Sequence, residues 1–132
     1  MKNIWCIRHG TALHNVLFKE IGSKAYTLQK YTDTQLIIKG HNESLELGEI
    51  WEKKNKIETI FVSPLSRTLQ TATNIFKNTD IEMIANDDIM EYPQSIEYCN
   101  KRRCKNELKI TYPQVDFNNI PNESTYWREE PF

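Results

Sequence analysis

The sequence predicts an α/β fold in one domain over residues 1–132: three layers, with a mainly parallel sheet carrying helices on both faces. Three observations carry this. Short apolar, β-prone runs at residues 3–7, 58–62 and 81–85 are each too brief for a helix and end at charges or turn residues. Stretches with helical spacing of apolar residues lie between them, as crossovers between parallel strands require. With 132 residues the chain buries about two thirds of its unfolded surface, enough for one core.

The first run, Ile4-Trp5-Cys6-Ile7, leads into Arg8-His9-Gly10-Thr11, and helical spacing begins near Leu13. It reads as a buried strand that delivers a cation and an imidazole to the turn before a helix. Open α/β sheets bind ligands at that edge. A guanidinium presents a planar fork of donors suited to phosphate, and helix N-termini favour anions. A neutral imidazole can accept a phosphoryl group covalently. His9 is therefore a candidate nucleophile and Arg8 a candidate phosphate ligand, although the tripeptide also fits a surface turn. Leu13, Val16, Leu17 and Ile21 mark a helix within residues 13–31, which Gly22-Ser23 ends or bends. His14 and Asn15 fall in its first turn, where they can face Arg8 and His9. The alternatives are a half-exposed helix histidine and a local backbone partner.

Asp33-Thr34-Gln35-Leu36 reads as a turn before a helix over residues 38–54, with Leu45, Leu47 and Trp51 as core contacts. Gly40 and Gly48 weaken that helix by up to ~1 kcal/mol each relative to Ala, which implies close packing against a neighbour. His41 reads as solvated. The strand at 58–62 breaks at Ser63-Pro64, and Pro tolerates entry to a helix. The helix at 65–78 places Leu65, Leu69, Ala72, Ile75 and Phe76 on one face. Arg67 lies in its first turn, where a cation opposes the helix dipole unless an anion comes between them. Arg8 and Arg67, at equivalent strand-to-helix corners, thus argue for one shared anion, with a surface arginine as the alternative. Glu91 follows the 81–85 strand. It is a loop carboxylate by default, and a candidate general acid beside a bound phosphate, whose charge favours its protonated form.

The last third is less regular. Lys101-Arg102-Arg103-Cys104-Lys105 is a basic segment that fits a solvated face or an extension of an anion-binding rim. A short helix over 106–111 precedes Tyr112-Pro113, and Val115-Asp116-Phe117 and Tyr126-Trp127 read as apolar anchors in a loop-rich tail. A cysteine phosphatase needs an arginine at a set distance after its cysteine. After Cys99 and Cys104 those positions hold Lys105 and Ile110, so that reading fails.

Composition removes other classes. Seventeen Lys+Arg against eighteen Asp+Glu give a net charge of −1, so no global field draws the chain to nucleic acid or an anionic membrane. Cys6, Cys99 and Cys104 are an odd number at spacings that suit neither zinc nor a disulfide framework. Reduced thiols in a cytoplasmic protein are the simpler reading. The N-terminus carries no apolar leader segment, and no apolar run approaches the ~20 residues of a membrane span.

Taken together, Arg8-His9-Gly10-Thr11 with Asn15, Asp33, Leu36 and Gly40, the string Phe61-Val62-Ser63-Pro64-Leu65-Ser66-Arg67-Thr68 with Gln70-Thr71-Ala72, and Glu91 resemble the histidine phosphatase superfamily, the phosphoglycerate mutase-like proteins. His14-Asn15-Val16, Cys99-Asn100-Lys101-Arg102, Glu107-Leu108-Lys109, Tyr112 through Phe117 and Trp127 resemble the branch common in plants and fungi. The resemblance spans essentially the whole chain.

It implies a phosphoglycerate mutase-like sandwich, incomplete at the C-terminus, and a phosphatase or phosphomutase acting through a phosphohistidine on His9. Arg8 and Arg67 would clamp the phosphoryl oxygens, Glu91 would protonate the leaving oxygen, and Asn15 and His14 would border the pocket. No metal or cofactor is implied, and the partner is a small phosphorylated substrate or phosphate. One departure stands out. The family supplies a second pocket histidine from a later strand, and here the histidines are His9, His14 and His41. The expectation is a fragment of a longer enzyme, a truncation with weak or no activity, or a sheet completed by pairing with another chain along an open edge. The alternative function is a catalytically inactive phospho-ligand-binding or interaction module.

Overall fold

A computed structural model describes residues 2–131. Along the chain run helices α1 (Leu13–Ile21), α2 (Lys24–Thr27) and α3 (Ile38–Ile50), strand β1 (Thr59–Val62), helix α4 (Ser66–Ile75), strand β2 (Glu82–Ala85), helix α5 (Lys105–Thr111) and strand β3 (Val115–Asp116). The strands form one parallel sheet in the order β1-β2-β3, with Ile60 opposite Met83, Val62 opposite Ala85 and Met83 opposite Val115. Successive side chains alternate between faces. Ile60, Val62, Met83, Ala85 and Val115 therefore share one face and join the core with Leu69, Ile75, Phe76, Leu108, Tyr112, Phe117 and Ile120.

The expected strand at residues 3–7 does not form. Ile4 is 90% exposed, Trp5 and Ile7 are exposed as well, and no ladder hydrogen bond joins this segment to the sheet. An apolar run becomes a strand only where an edge lends it hydrogen-bond partners. This one instead holds on through Trp5, whose ring meets that of Trp51 edge-on at 5.7 Å and lies under the Lys53 ammonium. The third strand comes from Val115-Asp116, a segment that reads in sequence as an apolar anchor because two residues are too few to show alternation. The α/β class with a parallel sheet holds. On the side of the sheet opposite the core, Phe61 is 63% exposed, so no helical layer reaches it.

The helices follow the pattern with local reasons for each end. α1 stops where Gly22 takes φ +63° and donates its N–H to the carbonyl of Phe18 at 2.9 Å, a backbone state that glycine adopts at low cost. The remainder of the 13–31 stretch is α2 and a 3₁₀ turn at Gln29–Tyr31. α3 ends at Ile50, before the expected boundary, because Trp51 takes an extended backbone. Its two glycines mark close approaches. A Cβ on Gly48 would lie 2.6 Å from the carbonyl oxygen of Ile75, and one on Gly40 would lie 2.1 Å from that of Thr11. Among the described residues, no helix is long and apolar enough to cross a membrane.

The Gly40 contact joins α3 to the turn after His9, and backbone atoms cannot yield there. Gly40→Ala is expected to cost about 2–3 kcal/mol in chemical denaturation, the upper part of the usual overpacking range. A loss under about 1 kcal/mol would show that the turn moves aside freely.

Candidate functional site

The site is assembled where the 8–11 turn meets the start of α4. His9 is half-buried, and its Nδ1–H donates to the carbonyl of Gly10 at 2.6 Å. A carbonyl only accepts, so the proton sits on Nδ1 and Nε2 carries the lone pair. The Gly10 N–H donates to the Thr71 hydroxyl at 3.0 Å, and that hydroxyl donates to the carbonyl of Arg67 at 2.7 Å. Packed on Gly40 on one side and tied to α4 on the other, the turn has little freedom to reorient the imidazole.

Arg67 is 0% exposed. Its Nη1 donates to the carbonyl of Cys99 at 2.6 Å and its Nη2 to Oδ1 of Asn100 at 2.7 Å, with Glu91 Oε2 3.7 Å from Nη2. Its Nε–H has no partner in the structure. Asn100 is held in turn by its own amide, which donates to the carbonyl of Pro93 and to Glu97 Oε2, each at 3.1 Å. The N-terminus of α4 is tied down by Asp33, whose two carboxylate oxygens accept from the Ser66 N–H at 2.8 Å and the Ser66 hydroxyl at 2.6 Å. Burial pushes the Asp33 carboxyl above its ordinary pKa, while Ser66, Arg103 and Arg67 pull it back.

His14 is 5% exposed and its ring lies 5.9 Å from that of His9. Its Nδ1 is 2.5 Å from the Thr34 hydroxyl, and Asn15 Nδ2 is 3.4 Å from its Nε2. An amide nitrogen can only donate, so Nε2 of His14 accepts and Nδ1 bears the proton. The Asn15 carbonyl accepts from the Ala12 N–H at 2.9 Å and closes the start of α1. Burial is the largest influence on His14, and with the charges of Arg67, His9 and Arg8 it brings the pKa down to about 3. His9 is also lowered. Burial dominates, the bond to Gly10 pulls upward, Arg67 and Arg8 pull downward, and Glu91 pulls upward. Both rings are thus neutral near pH 7, with two cations and one carboxylate in electrostatic range of His9.

The structure brings His9, His14, Arg67 and Glu91 together, with Arg8 exposed at the rim and Glu91 at 55% side-chain exposure. Asn15 takes the local role that its position also allowed. His41 is half-buried rather than solvated, its Nδ1 2.9 Å from the Asn74 amide on α4. The basic segment is neither simply a solvated face nor a rim. Arg102 is buried, with Nε and Nη2 on Asp87 at 2.7 and 3.0 Å and further bonds to the carbonyls of Arg103, Pro121 and Asn122. Cys99 is buried, and desolvation pushes its thiol up to about 12, which leaves it unreactive. Sequence reasoning read Asp33 as a turn residue and assigned Thr71 and Asn100 no part. Thr71 had a signal, since it stands one helical turn after Arg67, whereas the role of Asp33 shows only in its bonds to Ser66. Among the described residues, no group of three or more His, Cys, Asp or Glu is placed to hold a metal ion.

A parallel α/β sheet with a histidine set at a helix-start corner beside a buried guanidinium defines the class of fold. The chain belongs to the histidine phosphatase superfamily, branch 1, whose family model matches residues 4–114. It is 27% identical to a phosphoglycerate mutase-like protein of Arabidopsis thaliana, over 98% of this chain and 59% of that protein. It is 28% identical to phosphoglycerate mutase-like protein 1 of the same plant, over 92% of this chain and 54% of that protein. The chain thus spans little more than half the length of these relatives. A crystal structure of phosphoserine phosphatase from Entamoeba histolytica in complex with 3-phosphoglyceric acid matches with a TM-score of 0.50 and 27% identity, over 90% of this chain and 55% of that one.

The neutral, buried His14 has a consequence for acid stability. An unfolded histidine titrates near 6.5 and the folded ring near 3, so between those values the unfolded state binds a proton that the folded state does not. Stability is expected to fall as pH drops through that window, by up to about 1.4 kcal/mol per pH unit from this group. His14→Gln should flatten the slope in urea denaturation series run from pH 7 to 4. An unchanged slope would mean that His14 already carries its proton in the folded state.

Proposed function

We propose that this chain acts on small phosphomonoesters as a phosphatase or phosphomutase, through a phosphohistidine on His9. The observation that carries the reading is the Nδ1–H bond to the carbonyl of Gly10, which leaves Nε2 of a neutral imidazole as the nucleophile, with two guanidiniums in electrostatic range. In the first step Nε2 attacks phosphorus, the ester P–O bond breaks, and Glu91 gives its proton to the leaving oxygen. In the second, water attacks phosphorus, the P–N bond breaks and Glu91 takes the water's proton; in a mutase a substrate hydroxyl replaces water. Arg67 and Arg8 offset the charge on the phosphoryl oxygens, which is most of what such a transfer asks of a protein. The unpartnered Nε–H of Arg67 is a donor kept from any protein acceptor. Membership of the superfamily, the mutase-like relatives and the phosphatase solved with 3-phosphoglyceric acid support a small phosphorylated substrate.

A second reading is a phospho-ligand-binding module without turnover. It is favoured by how the other histidines are used, since both ring nitrogens of His14 are engaged and His41 is tied to Asn74. Neither is free to stand as a second imidazole on the phosphate. The open strand edge of β1 and the exposed Phe61 also fit self-association.

Alkaline-quench trapping with a ³²P-labelled phosphoester separates these readings, because phosphohistidine survives base. Label is expected on the wild type and absent from His9→Ala, with Glu91→Gln slowing its formation roughly 10²–10⁴-fold. Label of equal intensity on His9→Ala would remove His9 from the mechanism. Vanadate binding without any label would establish the inactive module instead.

A further inference from the structure

Glu91 must bring a proton to the leaving oxygen, yet its side chain is 55% exposed and it stands on a loop, outside every helix and strand. A catalytic group on a loop is placed only as well as the loop is held. Asn100 holds this one through the carbonyl of Pro93. Three successive residues of a distant segment hold the rest. The Tyr126 hydroxyl donates to Asp88 Oδ1, three residues before Glu91. Trp127 donates its Nε1–H to the carbonyl of Glu97 at 3.2 Å and packs its ring on Tyr98 at 4.9 Å. The Arg128 N–H donates to the carbonyl of Gln94 at 2.8 Å, and its carbonyl accepts from the Ile96 N–H at 3.0 Å. This is a parallel bridge centred on Ser95. Gln94 is itself buried, and its amide reaches back to the carbonyl of Glu91.

Ile96 shows that the bridge does more than fasten a loose segment. It takes φ +49°, a left-handed backbone that a β-branched side chain tolerates poorly. Such a residue persists only where its surroundings fix it, and its own N–H is the one bound by Arg128. The loop is therefore clamped on both sides of Glu91, at Asp88 before it and from Gln94 to Tyr98 after it. The hydrophobic core has no need of these contacts, since Tyr126, Trp127 and Arg128 contribute nothing to its main cluster.

We propose that residues 126–128 form a strap that positions Glu91 for proton transfer, with Trp127 as its anchoring residue; the proposal rests on the phosphoester reading. The strap acts through the loop rather than on the substrate. As Nε2 of His9 attacks phosphorus and the ester P–O bond breaks, the Glu91 proton passes to the departing oxygen, and the strap sets where that carboxyl stands.

Steady-state kinetics of the full chain on two esters separates positioning of the acid from a general loss of structure. 4-Nitrophenolate leaves as a stable anion with little help from an acid, whereas ethoxide must be protonated as it departs. Trp127→Leu is expected to lower kcat/KM for ethyl phosphate about tenfold, since a shift of ~1 Å at a catalytic site costs up to about 10²-fold. The loss on 4-nitrophenyl phosphate should be several times smaller. Tyr126→Phe removes one hydroxyl from a side chain that is 42% exposed, so it decides the matter should Trp127→Leu not fold. It should show the same bias at about threefold, the scale of one hydrogen bond, and Glu91→Gln should show it most strongly. Equal losses on the two esters in Trp127→Leu, undiminished activity on ethyl phosphate, or no bias in Tyr126→Phe would overturn the inference while leaving the phosphoester reading standing. No turnover of either ester by the wild type would overturn both.

Discussion

The site depends on how α4 begins. Its first turn holds a guanidinium that is 0% exposed, at the helix end where backbone N–H groups already make the potential positive. Such an arrangement persists only if other groups offset it. Asp33 does so from across the fold, accepting from the backbone and hydroxyl of Ser66. The carbonyl of Cys99, the amide oxygen of Asn100 and the carboxylate of Glu91 do so from the loop beyond β2. Removing one partner of a buried charge costs far more than the pair contributes in net stability, so these contacts stand or fall together. The same helix holds the Gly10 N–H through Thr71. Arg67 and His9 therefore keep their relative placement through a single rigid element.

That arrangement also sets the protonation of the two rings. Burial and the nearby cations lower both His9 and His14, while the Gly10 carbonyl and the Asn15 amide fix where their protons sit. A charged imidazole could not attack phosphorus, and the wrong tautomer would present an N–H in place of a lone pair. Structural roles absorb most of the remaining charge. Arg102 holds Asp87 and the carbonyls near Pro121, and Lys101 lies over the Trp127 ring at 4.4 Å. The segment that reads in sequence as a solvated face or an extension of an anion-binding rim is instead a clasp between the end of β2 and the tail.

Strands β1 and β2, the three longer helices and the meeting of His9 with Arg67 were legible because each rests on a local signal: an apolar run, a helical period, a Ser-Pro break before a helix. Failures came where a partner decides the outcome. Residues 3–7 have the composition of a strand but pair with no strand of the sheet, and Ile4 is left 90% exposed. Val115-Asp116 has too few residues for a pattern yet pairs with β2. Asn15 and His14 could be placed on one helix turn from sequence. Which of their atoms were already engaged depended on Thr34 and Ala12, contacts that no spacing reveals. Asp33 was hidden in the same way, its effect felt at Ser66 on another element.

The central claim is that His9 stands neutral with its lone pair on Nε2. Heteronuclear NMR of ¹⁵N-histidine-labelled protein reads both properties of that ring through a pH titration. The account expects the Nδ1–H tautomer with a pKa below 6.5, and loss of the pattern in His9→Gln. An Nε2–H tautomer, or a ring that titrates at or above 6.5, would contradict it.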